Sequence, residues 1–202
     1  MNTLSIPKIY TLPRVAPKRD KRQRSDLRAF VIALLLEGVS TPYELHSLAG
    51  LSPGATIPIL QNLVEDGHVQ AGRPGSRGRV VYVATRKGKK WLGGIWPSLL
   101  QAGPSGDLES DLRVFLITVR VGKDSQQAEA FLRSAIALRR ESLAEFKSKI
   151  GQEGSGAGLA DQYVSLRTQA TVDMLKAEVK AIESILVGLG ARTRGAKQAR
   201  AL

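Results

Sequence analysis

The chain has no cysteine in its 202 residues, which excludes disulfide frameworks, thiolate metal sites and cysteine nucleophiles. Histidine is nearly as scarce. His46 and His68 are the only two, and they read as a surface helix residue and a helix-terminal residue rather than as ligands or bases. No long hydrophobic run exists either: the longest clean one, Phe30 to Leu36, falls far short of the roughly 20 residues a membrane-spanning helix needs. Met1 to Lys8 lacks the charged-then-apolar order of a signal peptide. The expectation is a soluble cytoplasmic, nucleoid-associated protein with no membrane partner.

No catalytic constellation emerges. There is no paired carboxylate on a recognisable site and no Ser-His-Asp order. The run Gly151-Gln152-Glu153-Gly154-Ser155-Gly156 lacks the flanking strand and the lysine of a phosphate loop. The reading is not an enzyme, with no metal and no cofactor.

Acidic residues are also in short supply, 18 against 30 Lys and Arg, for a net charge of +12. The excess is unevenly placed. Residues 1–92 hold 15 basic and 6 acidic side chains, residues 93–191 hold 11 and 12, and the tail from Arg192 adds four more cations. A merely solvated surface would spread its charge, so a basic first half beside a neutral second half points to one part that meets a polyanion and one that does not.

Residues 1–24 read as a flexible basic arm: Pro7, Pro13 and Pro17 break any periodicity, and Arg14, Lys18, Arg19, Lys21, Arg22 and Arg24 crowd around a single Asp20. Ser25 offers an N-cap for a helix bearing Leu27, Phe30, Val31, Leu34 and Leu35 on one face and closed by Gly38. Thr41-Pro42-Tyr43-Glu44 is a capping box with proline at the first helical position, starting a short second helix that stops near Gly50. Ser52-Pro53 repeats that start for a third, with Thr56, Leu60 and Leu63 inward and Gly67 at its end. The periodicity then changes. Val69-Gln70-Ala71 and Val80 to Val83 are β-prone runs around the basic loop Gly72 to Arg79. Thr85 caps a further helix that Gly93-Gly94 is expected to interrupt, and Pro97, Gly103, Pro104 and Gly106 place a linker over 93–106.

The second half, 107–191, is helical by period. Leu108, Leu112, Phe115, Leu116 and Val119 mark one helix ending at Gly122; a longer one capped by Ser125 runs to Ile150, followed by a flexible glycine-rich connection. The last, about Leu159 to Leu189, has two apolar stripes roughly 130° apart: Tyr163, Leu166, Ala170, Met174, Ala177, Ala181 and Ile185, and separately Val172, Leu175, Val179, Ile182, Leu186 and Leu189. A helix with two apolar faces is buried on both. The 3, 4, 3, 4 spacing of the second stripe is that of a coiled-coil seam, so Val172, Leu175, Val179, Ile182 and Leu186 are assigned to a homodimer interface. A monomeric bundle in which the first half covers the extra stripe is the other solution. Residues 192–202 form a basic tail.

The fold class expected is thus mostly α with a small β-hairpin: an N-terminal winged helix-turn-helix domain over 25–92 and a C-terminal helical dimerisation domain. At Tyr43-Glu44-Leu45, Leu51-Ser52-Pro53-Gly54, Pro58, Leu60, Leu63, Glu65-Asp66-Gly67, Tyr82, Thr85 and Gly88 the chain resembles PadR-type transcriptional regulators. The resemblance covers roughly residues 27–92. It departs at Pro42, where the family has glycine, at Ile57, where it has tyrosine, and around Gln61 and Asn62, where it has a basic residue.

The resemblance implies a homodimeric repressor that binds double-stranded DNA, with a small-molecule effector between the two domains; Trp91 and Trp96 read first as packing between those domains, and the resemblance keeps open that they and Phe115 form the effector pocket. The third helix would enter the major groove with Tyr43, Ser52, Gly54 and Ile57 at the DNA and Gln61 and Asn62 reading adenine. Phosphates would be gripped by Arg19, Lys21, Arg22 and Arg24 of the arm and by Arg73, Arg77 and Arg79 of the wing. The competing reading is a basic RNA- or ribosome-associated structural protein, which has no need of a neutral, doubly amphipathic helical half.

Overall fold

The computed structural model describes residues 19–75, 79–152 and 158–198. Seven helices and one two-stranded antiparallel sheet occupy them. The helix α1 (Arg19–Leu36) is followed by α2 (Pro42–Ala49), α3 (Pro53–Glu65), β1 (Val69–Ala71), β2 (Tyr82–Ala84) and α4 (Arg86–Gln101). Then come α5 (Leu108–Ile117), a π-turn over Thr118–Gly122, α6 (Ser125–Gln152) and α7 (Leu159–Gln198). The protein is therefore mostly helical with one small hairpin, and its first elements follow the winged helix-turn-helix order.

Local chemistry fixes the first helices. α1 ends in a left-handed Gly38 (φ +96°), with Val39 N donating to Leu34 O and Gly38 N to Leu35 O, the bonding of a Schellman stop. Thr41 Oγ1 accepts from Glu44 N (3.2 Å), while Glu44 Oε2 accepts from Thr41 N (3.0 Å) and Ser40 N (2.9 Å). Those backbone donors, Ser40 foremost, hold the Glu44 carboxyl below its usual range. In α3 the Ser52 side chain accepts from Ala55 N, and Leu60 and Leu63 lie fully buried against α1 and α2.

The hairpin pairs Val69 with Ala84, Gln70 with Val83 and Ala71 with Tyr82. Gly72 N to Val81 O (2.7 Å) and Gly75 N to Arg79 O (2.8 Å) continue the pairing toward the tip. Tyr82 N also donates to Ser40 O (2.7 Å), which pins the wing to the turn before α2.

Thr85 joins wing and α4. Its hydroxyl caps the helix at Gly88 N (3.1 Å) and donates to Gly67 O (2.8 Å). Gly88 sits directly on the His68 backbone: a Cβ built there would lie 2.1 Å from the His68 carbonyl oxygen. Backbone cannot yield as a side-chain tip can, so Gly88→Ala is expected to cost about 1–3 kcal/mol through overpacking, measured as a lower midpoint in urea; an unchanged midpoint would mean that α4 shifts freely on the hairpin.

Four boundaries differ from the sequence expectation. Ser25 is not an N-cap, because α1 begins at Arg19; residues 19–24 of the expected arm are helical, and residues 1–18 lie outside the described ones. No break occurs at Gly93-Gly94, since α4 continues through them and Pro97 to Gln101. Leu92 and Leu99 are buried on one side of α4, and this burial outweighs the weak helical preference of the glycines. What remains of the 93–106 linker is a short turn with Gly103 and Gly106 at positive φ, ended by Asp107, whose carboxylate accepts from Ser110 N (2.9 Å) and caps α5. Asp124 rather than Ser125 caps α6, accepting from Gln127 N at 2.8 Å. Finally, α7 extends to Gln198 through most of the expected basic tail. The glycine-rich connection falls mainly on residues 153–157, outside the described ones.

The core is shared. One apolar cluster runs from Ala29, Val31 and Ile32 of α1 through Leu60, Leu92, Val114 and Phe115 to Leu132 of α6 and Ile182 of α7. The fully buried Asp26 of α1 faces Arg113 of α5 at 3.8 Å, so α1 serves both halves. Deeper in the second half, Arg139 of α6 is buried and bonded to Asp111 of α5 (2.9 Å) and Glu178 of α7 (2.6 Å).

The α7 stripes are the reverse of what was expected. Val172, Leu175 and Ile182 are buried and Val179 and Leu186 half-buried within the chain, because α6 packs along this face and Arg139 anchors it through Glu178. These five residues are intrachain packing and not a free seam. The other stripe is open over most of its length: Tyr163, Leu166, Ala170, Met174, Ala177 and Ala181 are exposed, Leu166 by 72% and Met174 by 55%, with exposed Leu159 one turn before them, while Ile185 at its end is half-buried against the core.

Candidate nucleic-acid interface

The buried residues of α3, Thr56, Leu60 and Leu63, lie on one side of the helix. At about 100° per residue, Gly54, Ala55, Ile57, Pro58, Gln61 and Asn62 fall on the opposite side, and all six are exposed. Five sequence-assigned residues therefore share this region: Gly54, Ile57, Gln61 and Asn62 on one face, and Ser52 at the helix start, exposed beside its own cap. Tyr43 stands out from the neighbouring α2 with 73% of its surface exposed. Pro58 has no N–H, so the Gly54 carbonyl lacks its usual donor four residues on, and that carbonyl belongs to the solvent face.

The face is uncharged until its end. No Lys or Arg occurs between Pro53 and Glu65. The exposed cations come after it in the chain. Arg73 and Arg79 are exposed on the wing, and Arg86, Lys89 and Lys90 are exposed on the first turns of α4 just beyond it. The α4 trio was not assigned from sequence, although the density of four cations in five residues from Arg86 to Lys90 was visible there. Arg77 lies outside the described residues. Arg19, Lys21, Arg22 and Arg24 are placed by backbone on the first turns of α1, with side chains outside what is described.

The three aromatics assigned to an effector pocket have different surroundings. Phe115 is in the core. Trp96 packs its indole against the π-turn, where a Cβ added to Gly122 would lie 2.7 Å from the ring. Trp91, five residues earlier and so about 140° round α4, faces a different place. It lines an open cleft of about 650 Å³ with Ser25, Arg28, Glu65, Asp66, His68 and Lys87. The Arg28 guanidinium lies over the indole at 5.7 Å and is ion-paired with Asp66. The His68 ring stands 5.1 Å from it at 32°, and Lys87 Nζ donates to Asp66 O (2.7 Å).

His68 is thus a buried residue and not a simple helix terminus. Burial first, and Lys87 next, push its pKa down, and its Nδ1 is buried and without a hydrogen-bond partner among the described residues. The hydrogen bond from Arg28 lowers the Asp66 pKa. No local pattern marks this cluster, which three segments assemble. His46, as expected, is exposed on α2; its Nδ1 lies 3.1 Å from Leu51 O.

No protein-family model and no curated protein sequence matches the chain. Among solved structures, it is similar to PadR of Bacillus subtilis in complex with operator DNA, at 18% identity over 85% of this chain and 99% of that chain, with a TM-score of 0.36. No helix among the described residues is long and apolar enough to cross a membrane.

Proposed function

We propose that this protein is a homodimeric, sequence-specific DNA-binding transcriptional regulator, acting as a repressor. The observation that carries the reading is the solvent face of α3. The helix exposes a row of small, apolar and amide side chains without a cation, and exposed cations follow it in the chain on the wing and on α4. That is a division between reading and gripping: bases are read by hydrogen bonds and apolar contacts in the major groove, and phosphates are held by charge.

In this reading Gln61 and Asn62 meet adenine edges. Arg73, Arg77, Arg79 and the α1 cations Arg19, Lys21, Arg22 and Arg24 meet phosphates, with Arg86 and Lys89 added to them. Residues 25–92 are the DNA-binding part, and 107–191 the dimerising part. The dimer forms through the open α7 stripe of Tyr163, Leu166 and Met174, because such a row on a long helix calls for an apolar partner. A small-molecule effector is better served by the Trp91 cleft, with its unpartnered His68 nitrogen, than by the packed Trp96 and Phe115.

The test is to pass fragmented genomic DNA of the source cell over the immobilised full-length protein and sequence what is retained, with structured RNA as competitor. A few fragments sharing a short two-fold repeat are expected, undiminished by the RNA. Retention that RNA abolishes, without a shared DNA sequence, would favour the RNA-associated structural protein instead.

A further inference from the structure

We infer that α3 selects its site in part through thymine methyl groups, with Ile57 as the contact that ranks thymine above the other pyrimidines; this rests on the DNA-binding reading above. The side chain is apolar, β-branched and 44% exposed, on a helix whose inward face is already filled by Thr56, Leu60 and Leu63. Around it the face is low. Gly54 has no side chain, and a Cβ built there would meet nothing within 4 Å; Ala55 and Pro58 add only short apolar surface. A groove floor can therefore come close to this part of α3.

What the face can recognise follows from what base edges offer. Guanine is read best by Arg or Lys bonded to O6 and N7, and α3 has neither. Cytosine is read by a carboxylate, and the only one on α3 is Glu65 in the last turn. Adenine is read by Asn or Gln, and thymine by apolar contact with its 5-methyl group. The helix supplies both of these: Gln61 and Asn62 for adenine, and Ile57 one turn before Gln61 for the methyl. The preferred half-site is accordingly an A·T-rich step in the major groove, with no guanine read by α3 itself.

The experiment begins by selecting binding sites for the full-length protein from a random-core duplex library. The best duplex is then resynthesised with each thymine in turn replaced by uracil, which deletes only the 5-methyl group, and affinities are measured by fluorescence anisotropy. At one or two positions per half-site uracil is expected to weaken wild-type binding about fourfold, the worth of burying one methylene-sized group. Ile57→Ala, folded to the same circular dichroism, should bind the thymine duplex correspondingly less well and show no thymine–uracil difference there. Ile57→Val should retain the difference, and so should Gln61→Ala. Three results overturn the inference while leaving the regulator reading standing: G·C-rich selected sites, indifference to uracil everywhere, or a difference that survives in Ile57→Ala. A library that yields no enriched sequence overturns both.

Discussion

Replacing Leu166 and Met174 together with aspartate is expected to convert a dimer into monomers and to weaken operator binding about a hundredfold or more. Both side chains project from α7 into solvent, on the stripe that runs from Leu159 through Tyr163, Ala170 and Ala177 to Ala181, so the substitutions leave the chain's own core untouched. In a dimer they place four carboxylates in an apolar interface, and unpaired buried charge is not tolerated. The loss of affinity is that of bivalency: two half-sites held by one dimer gain about 10² to 10⁴ over either alone. Sedimentation equilibrium and anisotropy on the same variant check the two effects. The inner stripe gives the contrast. Leu175→Asp and Ile182→Asp act on α6–α7 packing inside the chain and should lower the unfolding midpoint; the outer pair should leave the unfolding of the monomer unchanged. Wild-type protein that stays monomeric at micromolar concentration would contradict the assignment of the outer face.

Arg139→Ala is expected to destabilise the protein by about 3–5 kcal/mol, the cost of breaking a buried ion pair by removing one partner. Asp111, with 1% of its side chain exposed, and Glu178, with 16%, are left facing each other without their cation. At about 2–4 °C per kcal/mol for a chain of this size, the melting temperature should fall by roughly 10 °C. Replacing the whole group, as Arg139→Met with Asp111→Leu and Glu178→Met, should recover most of the loss, since apolar substitutes for a complete buried ion group are often neutral or stabilising. Recovery would show that the charges serve to align α5, α6 and α7 more than to hold them together. A single variant that melts like the wild type would mean that water reaches the site.

The contrast between those two sites shows what could be read in one dimension. The starts of α2 and α3 were legible because Thr41-Pro42-Tyr43-Glu44 and Ser52-Pro53 are complete local devices: the cap, the proline and the reciprocal carboxylate all lie within four residues. The exposed face of α3 was legible for the same reason, once Thr56, Leu60 and Leu63 set its inner side. Ser25 misled because it is a good cap chemically but stands where α1 is already under way. Gly93, Gly94 and Pro97 misled because helix propensity is weak against the burial of Leu92 and Leu99 on either side of them. For α7, period revealed two apolar stripes and their angle; which one α6 would cover depends on a pairing some 40 residues away, which the Arg139–Glu178 and Arg140–Glu183 bonds carry. The cluster at Trp91 had no local signal, since Arg28, the Asp66–His68 turn and Lys87 come from three segments. Its buried His68 was invisible as such.

The central claim is that the uncharged face of α3 reads DNA sequence while the cations outside it only grip. It is tested most directly by measuring the full-length protein on its selected duplex and on a scrambled duplex of the same length, each for wild type and for Gln61→Ala with Asn62→Ala, over a range of salt. The double variant should lose about tenfold to a few hundredfold on the selected duplex, with little change on the scrambled one and an unaltered salt slope. Equal losses on both duplexes, or a flatter salt slope, would contradict it.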